Sequence, residues 1–339
     1  MSQSTRYHIR HLTRYVYGAD VAHSHQLLHL VPRPAPYQEC LEHAVDISPA
    51  PDSRIEALDA FGNPVLRVEF EHPHRRLEVV TRMDIRVHAR PKVDANATHR
   101  WEQVARSLAY HGGWPARGGL DVCRFRHESP YVRIKRAFTD YTADCFEPGR
   151  PVLAAATALM KKLHQELRYA PGETTIATPL MEVLEQRRGV CQDYAHLMIA
   201  CLRSRGLAAR YVSGYIRSRP AQPAAAASAA TSPIQTQTQS QTQVQTQTQT
   251  QAQTPPETVP APALVGGDAS HAWVAVYAPP LGWIELDPTN NVWVGADHVA
   301  VAWGGDFGDV SPLRGIILGG GSPELSVDVA VQPVPDPAP

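Results

Sequence analysis

The stretch from Cys191 to Ser204 constrains this chain more than any other. It opens on a cysteine, runs through Leu197, Met198, Ile199 and Leu202, and stops just before Gly206. That apolar density predicts a helix buried on most sides, with Gly206 as the left-handed residue past its end. Gly189-Val190 breaks an earlier helix expected from Pro179 through Arg187. Ala209 through Ile216, rich in β-branched and aromatic residues, follows as a strand. A thiol at a helix start sits at partial positive charge, which favours the reactive thiolate. The plain alternative is a small buried hydrophobe, and for Cys201, inside the apolar run, that alternative is preferred.

A second constraint comes from His271–Tyr277 and Trp283–Asp287, two strand-like runs joined by Ala278-Pro279-Pro280-Leu281-Gly282. They predict a hairpin, and opposed residues of a hairpin share a face. If Tyr277 pairs with Trp283, then Trp273 opposes Asp287 and His271 is its diagonal neighbour. If Val276 pairs with Gly282, His271 faces Asp287 directly. In either register the carboxylate can fix one ring nitrogen, leaving the other free to take a proton from a thiol. A slip of one strand by one residue would separate them. Taken singly, His271 reads as a strand histidine and Asp287 as a turn residue before Pro288; the combination with Cys191 is what points to thiol chemistry.

The remaining organisation reads as follows. Residues 1–92 carry β-type segments at Tyr7–Tyr17, Gln26–Arg33, Val65–Phe70 and Leu77–Val87, punctuated by Pro and Gly, and suggest a sandwich-like β domain. Residues 93–150 are a mixed connecting segment without a clear period. Pro151 opens a helix whose Leu153, Ala156, Leu159, Met160, Leu163 and Leu167 recur at helical spacing. Core residues 151–300 are interrupted by 219–265, where Gln alternates mostly with Thr between Ala/Pro runs. Neither face of that alternation is apolar, so it reads as a disordered insertion. A solvated spacer is the preferred reading of it. Residues 301–339 read as a C-terminal extension with a short alternating segment at Leu325–Val331 and a frayed Pro-rich tail.

Composition excludes several function classes. With 32 Lys+Arg against 33 Asp+Glu the net charge is −1, which offers no electrostatic case for nucleic acid or an anionic membrane. The five cysteines are irregularly spaced and contain no CxxC pair, so neither a disulfide framework nor a zinc site is expected. The N-terminus lacks an apolar signal core and no uncharged apolar run spans a membrane. The expectation is a cytoplasmic protein with reduced thiols. His23, His25 and His29 lack a completing Cys, Asp or Glu nearby, and no metal is expected there. No G-x-G-x-x-G, P-loop, EF-hand or G-x-S-x-G motif is present, so no cofactor and no serine nucleophile is expected.

Here the residues meet a family. Gly189-Val190-Cys191-Gln192-Asp193-Tyr194-Ala195-His196-Leu197 resembles the cysteine motif of bacterial transglutaminase-like proteins. Arg210–Tyr215 resembles the strand that follows it. His271-Ala272-Trp273-Val274 resembles the histidine motif, and Gly282 through Asn290 the aspartate motif. The segments Ser24–Leu28 to Pro32-Arg33, Asp59–Asn63 and Asp297–Gly315 resemble the regions that flank this core in the family. The resemblance implies an α+β, papain-like core, its cysteine on a helix packed against an antiparallel sheet, preceded by a β-sandwich-like domain. It implies Cys191 as nucleophile, His271 as general base and acid, and Asp287 as the orienting carboxylate, acting on a protein or peptide amide. Asp193, Trp273 and Trp283 are candidate substrate-channel residues. A peptidase or amidase using the same three residues, and a non-catalytic binding module, remain the rival readings.

Overall fold

A single 25-residue strand, β1 (Ser4–Leu28), organises the N-terminal region. The computed structural model describes residues 4–109, 119–217, 264–265 and 270–335; the Gln/Thr-rich insertion, up to residue 263, lies outside them. Two separate strands were expected where β1 runs. The structure joins them, because an irregularity between Val16 and Val21 absorbs the bend without ending the ladder. Four further strands follow: β2 (Gln38–Ser48), β3 (Ser53–Leu58), β4 (Pro64–Phe70) and β5 (His74–His88). They order as β2-β5-β1-β4-β3. The first half of β1 pairs with β5 and its last residues pair with β4. The bent sheet folds over Val21, Leu28, Val45, Leu66, Val68, Phe70, Leu77 and Val79, so it is sandwich-like with one strand shared by both layers.

Among the described residues, 93–150 supply three short α-helices, α1 (Trp101–Ser107), α2 (Gly119–Cys123) and α3 (Arg136–Tyr141). Then α4 (Val152–Glu166) leads into β6 (Arg168–Tyr169), and α5 (Leu180–Gln186) into β7 (Arg188–Gly189). The β6–β7 parallel pair anchors Gly189 just ahead of α6 (Cys191–Ser204). After α6, Gly206 takes φ +76°, the left-handed turn its position predicted.

The second sheet orders β11-β10-β9-β8-β12. Its strands are β8 (Ala209–Ile216), β9 (His271–Tyr277), β10 (Trp283–Asp287), β11 (Val292–Trp293) and β12 (His298–Gly304). Alternation sorts β9 cleanly. Ala272, Val274 and Val276 join the cluster that contains α4 and α6. Trp273 and Ala275 face the other way, with Val212, Val294 and Ala300.

The C-terminal residues are not an appendage to this core. After α7 (Phe307–Val310), β13 (Leu313–Gly319) and β14 (Pro323–Val334) return to pair with β1 in the N-terminal sheet. The expected short segment is twelve residues long because the remaining edge of β1 is open to it along Arg6–Tyr17. Val329 and Val331 then pack with Tyr7, Ile9, Tyr215 and Val299 between the two sheets.

The N-terminal region also closes the edge of β12. An edge strand leaves backbone N–H and C=O groups unpaired. The Gln38 side-chain amide donates to Ala300 O at 2.7 Å and accepts from Ala300 N at 2.8 Å. The buried Asn63 amide does the same for Trp303, donating to O at 2.8 Å and accepting from N at 3.0 Å. Asp59 holds Asn63 in place from its own turn. Asn63→Ala therefore leaves two half-buried backbone groups of β12 without these partners. We expect a loss of about 2–4 kcal/mol, measured by urea unfolding with an unchanged m-value.

Candidate functional site

Cys191, His271 and Asp287 come from α6, β9 and β10 and meet at one end of the second sheet. The α6 start is fixed by Asp193. Its Oδ2 accepts from Val190 N at 2.8 Å and from Thr174 Oγ1 at 2.7 Å. This is half of a capping box, made by the residue at the third helical position. Gly189 is required by the same contact, since a Cβ there would lie 2.6 Å from Asp193 Oδ2. Burial pushes the Asp193 carboxyl up, against the pull of its two hydrogen bonds. Asp193 is thus a buried helix clamp, and it also lines a cavity of about 340 Å³ with Gln192, Thr178 and Met181.

The hairpin adopts the register in which Trp283 pairs with Tyr277 and Leu286 with Val274. His271 is then diagonal to Asp287, and its Nε2 lies 2.8 Å from Asp287 Oδ2. A carboxylate only accepts, so this nitrogen carries the hydrogen. Nδ1 has no hydrogen-bond partner among the described residues, and Cys191 is near enough for its sulfur to attract the ring. Both His271 and Asp287 are buried, whereas Cys191 is half-buried. Burial alone would depress the imidazole, but the Asp287 charge and hydrogen bond, with the Cys191 sulfur, raise it from 6.5 to about 10. Burial likewise raises Asp287, yet His271 and His298 outweigh it and hold the carboxylate well below its usual range.

Asp287 is more heavily bonded than its sequence neighbours suggest. Oδ1 accepts from Thr289 N at 3.0 Å and Asn290 N at 3.2 Å. Oδ2 accepts from Asn290 Nδ2 at 2.7 Å and from His298 Nε2 at 3.2 Å, besides His271. The first pair is an Asx-type turn that Asp-Pro-Thr-Asn could have announced. His298 carried no such signal, because it belongs to another strand. Asn290 also receives Val265 N at 2.7 Å, tying the residue after the insertion to the site.

The other expected residues sort differently. Trp273 is fully buried, its Nε1 donating to Glu285 at 2.8 Å, and it walls His271 with ring centroids 6.1 Å apart. It is a core residue, a correction to the channel expectation. Trp283 is half-buried and lines a cavity of about 670 Å³ with Tyr37, Arg90 and Trp293. His196 accepts from Phe307 N and stacks on Tyr131, and burial depresses it to about 4. Cys201 is buried, and burial pushes its thiol up. His29 is held by Asp59 and Ser311 O, while His23 and His25 are surface neighbours. Among the described residues no helix is long and apolar enough to cross a membrane.

Two family models match the chain. Residues 7–86 match the bacterial transglutaminase-like N-terminal region, and residues 139–288 match the transglutaminase-like superfamily. An uncharacterized protein of Mycobacterium tuberculosis is 33% identical over 342 residues, covering 99% of this chain and 94% of that protein. The chain belongs to the bacterial transglutaminase-like family. Another uncharacterized relative, from Mycobacterium leprae, is 28% identical over 326 residues, 96% of this chain and 98% of its own length. A crystal structure from Cytophaga hutchinsonii, described as a "Putative Cysteine Protease", superposes with TM-score 0.67 at 16% identity, covering 100% of this chain and 93% of that one. That last likeness shows the shared α+β, papain-like fold.

Two outcomes follow from the site. Asp193→Ala orphans the half-buried Val190 N–H and should destabilise the protein by about 1–2 kcal/mol in denaturant unfolding. The raised His271 makes stability pH-dependent: its contribution is complete below pH 6.5 and is lost as pH rises through about 10. The Asp287 contribution has the opposite sign, present above its ordinary 3.8 and lost on acidification. The stability gap between wild type and His271→Gln should therefore be widest between those values and shrink toward pH 10, as read from unfolding free energies across that range.

Proposed function

We propose that this protein is a cysteine-dependent acyl-transfer enzyme acting on protein or peptide amides through a thioester on Cys191. The observation that carries this reading is the buried His271–Asp287 pair, its second ring nitrogen unpartnered, beside a thiol at a helix start. His271 Nδ1 takes the thiol proton, or the two rest as thiolate and imidazolium. The thiolate attacks a carboxamide or peptide carbonyl, with the Cys191 backbone N–H as the natural donor to the oxyanion. His271 returns the proton to the departing ammonia or amine. An incoming amine or water, deprotonated by His271, then attacks the thioester and restores the thiol.

Whether amine or water resolves the thioester divides transferase from peptidase or amidase. Both share the first half-reaction. The description of the Cytophaga protein favours keeping hydrolysis as the second reading. A non-catalytic binding module fits poorly with a buried, fully bonded Asp287 aimed at the imidazole.

Incubation with a glutamine-containing peptide and a labelled primary amine should yield labelled peptide; cleavage or deamidation without label would favour the hydrolase. Cys191→Ala should abolish both while keeping the wild-type melting temperature. Asp287→Asn should lower kcat by roughly 10²–10⁴-fold. Iodoacetamide should alkylate Cys191 in a stoichiometric, pH-dependent reaction followed by mass spectrometry. If Cys191 reacts no faster than the exposed Cys40, the privileged thiol, and with it this function, is lost.

A further inference from the structure

Asp287 serves two histidines. His298 is the first residue of β12 and is buried, with Nε2 3.2 Å from the same Oδ2 that holds His271. Facing an ionised carboxylate, this nitrogen is the donor. β10 and β12 are separated in the sheet by β9 and β8, so the contact is made across the sheet's face and not between neighbouring strands. Gly214 makes room for it. It lies in β8 opposite His271 on one side and Ala300 on the other. A Cβ there would come within 2.5 Å of Trp273 Cη2 and 2.1 Å of Val299 O. The Trp273 indole fills the space so gained, edge-on to His298 at 5.4 Å and tilted against His271 at 6.1 Å.

We propose that His298 is a positioning residue for the thiol chemistry: its hydrogen bond keeps Asp287 ionised and aimed at His271, and so stabilises the imidazolium that partners the Cys191 thiolate. The inference rests on the function proposed above. Other charged and titratable groups around the pair are otherwise engaged. Asp297, next in the chain, bonds Tyr7 at 3.1 Å and pairs with Arg217 at 3.4 Å. Glu285, on the Trp273 face of β10, takes the indole N–H and Arg90. Cys191 approaches His271 from α6, and Asn290 contributes a neutral amide. Among the described residues, the titratable donors to Asp287 are the two imidazoles.

The test is the pH profile of Cys191 alkylation by iodoacetamide, followed on the Cys191 peptide by mass spectrometry, in wild type and three variants. His298→Leu removes the donor. His298→Asn places an amide near the Nδ1 position, short of the carboxylate. His298→Gln restores a donor near Nε2. Leu and Asn should both move the acid limb upward by half to one pH unit, roughly three- to tenfold slower alkylation at its foot, while Gln stays within about twofold of wild type. A Leu variant that matches wild type overturns the proposal. So does a Gln variant that shifts as far as Asn, and the Gln–Asn comparison decides even if Leu does not fold. A wild-type profile with no reactive limb at Cys191 would instead sink the thiol function itself.

Discussion

A carboxylate with no exposed surface is the constraint on which the site depends. Taking a charge out of water costs several kcal/mol unless every lone pair finds a donor. Asp287 meets that requirement with two backbone N–H groups, the Asn290 amide and two imidazoles. Those donors come from the hairpin, from the turn after it and from β12. The interaction therefore does two jobs at once. It holds one end of the sheet together, and it sets the charge and orientation of His271 toward the thiol.

The N-terminal region serves the same end from a distance. β12 is the outermost strand of its sheet, yet it must keep His298 at 3.2 Å from a carboxylate on β10, with two strands in between. Gln38 and Asn63 give its exposed backbone the pairing that a sixth strand would have given. Arg33 adds a guanidinium 3.0 Å over the Trp303 ring. The two family regions thus form one mechanical unit, with side-chain amides standing in for a ladder.

Much of this was legible in the sequence where the physics is local. The α6 start and stop, the β9–β10 hairpin and the shared face of His271 and Asp287 follow from periodicities and turn residues, while the choice between the diagonal and the direct register came only with the structure. What was hidden is non-local. β2 shows mostly exposed residues and no clean alternation, because it lies at an edge. β1 reads as two strands because its bend is absorbed by irregular pairing. Asp193 reads in sequence as a first-turn acid that complements the helix dipole, and its bond to the Val190 N–H is visible only in the fold. His298 was invisible as a partner of Asp287 because nothing near it in sequence encodes a contact made across the face of a five-stranded sheet.

The ladder between β1 and β14 has a temporal consequence. Tyr17 pairs with Pro323 and Arg6 with Val334, so this stretch of β1 keeps one edge unpartnered until residues 323–334 have been translated. Its other edge can zip to β5 earlier, but the sheet is finished only by residues that emerge after the histidine and aspartate motifs. Completion of the N-terminal layer thereby follows synthesis of the reactive centre, and a chain stalled between the two would carry the thiol without its finished scaffold.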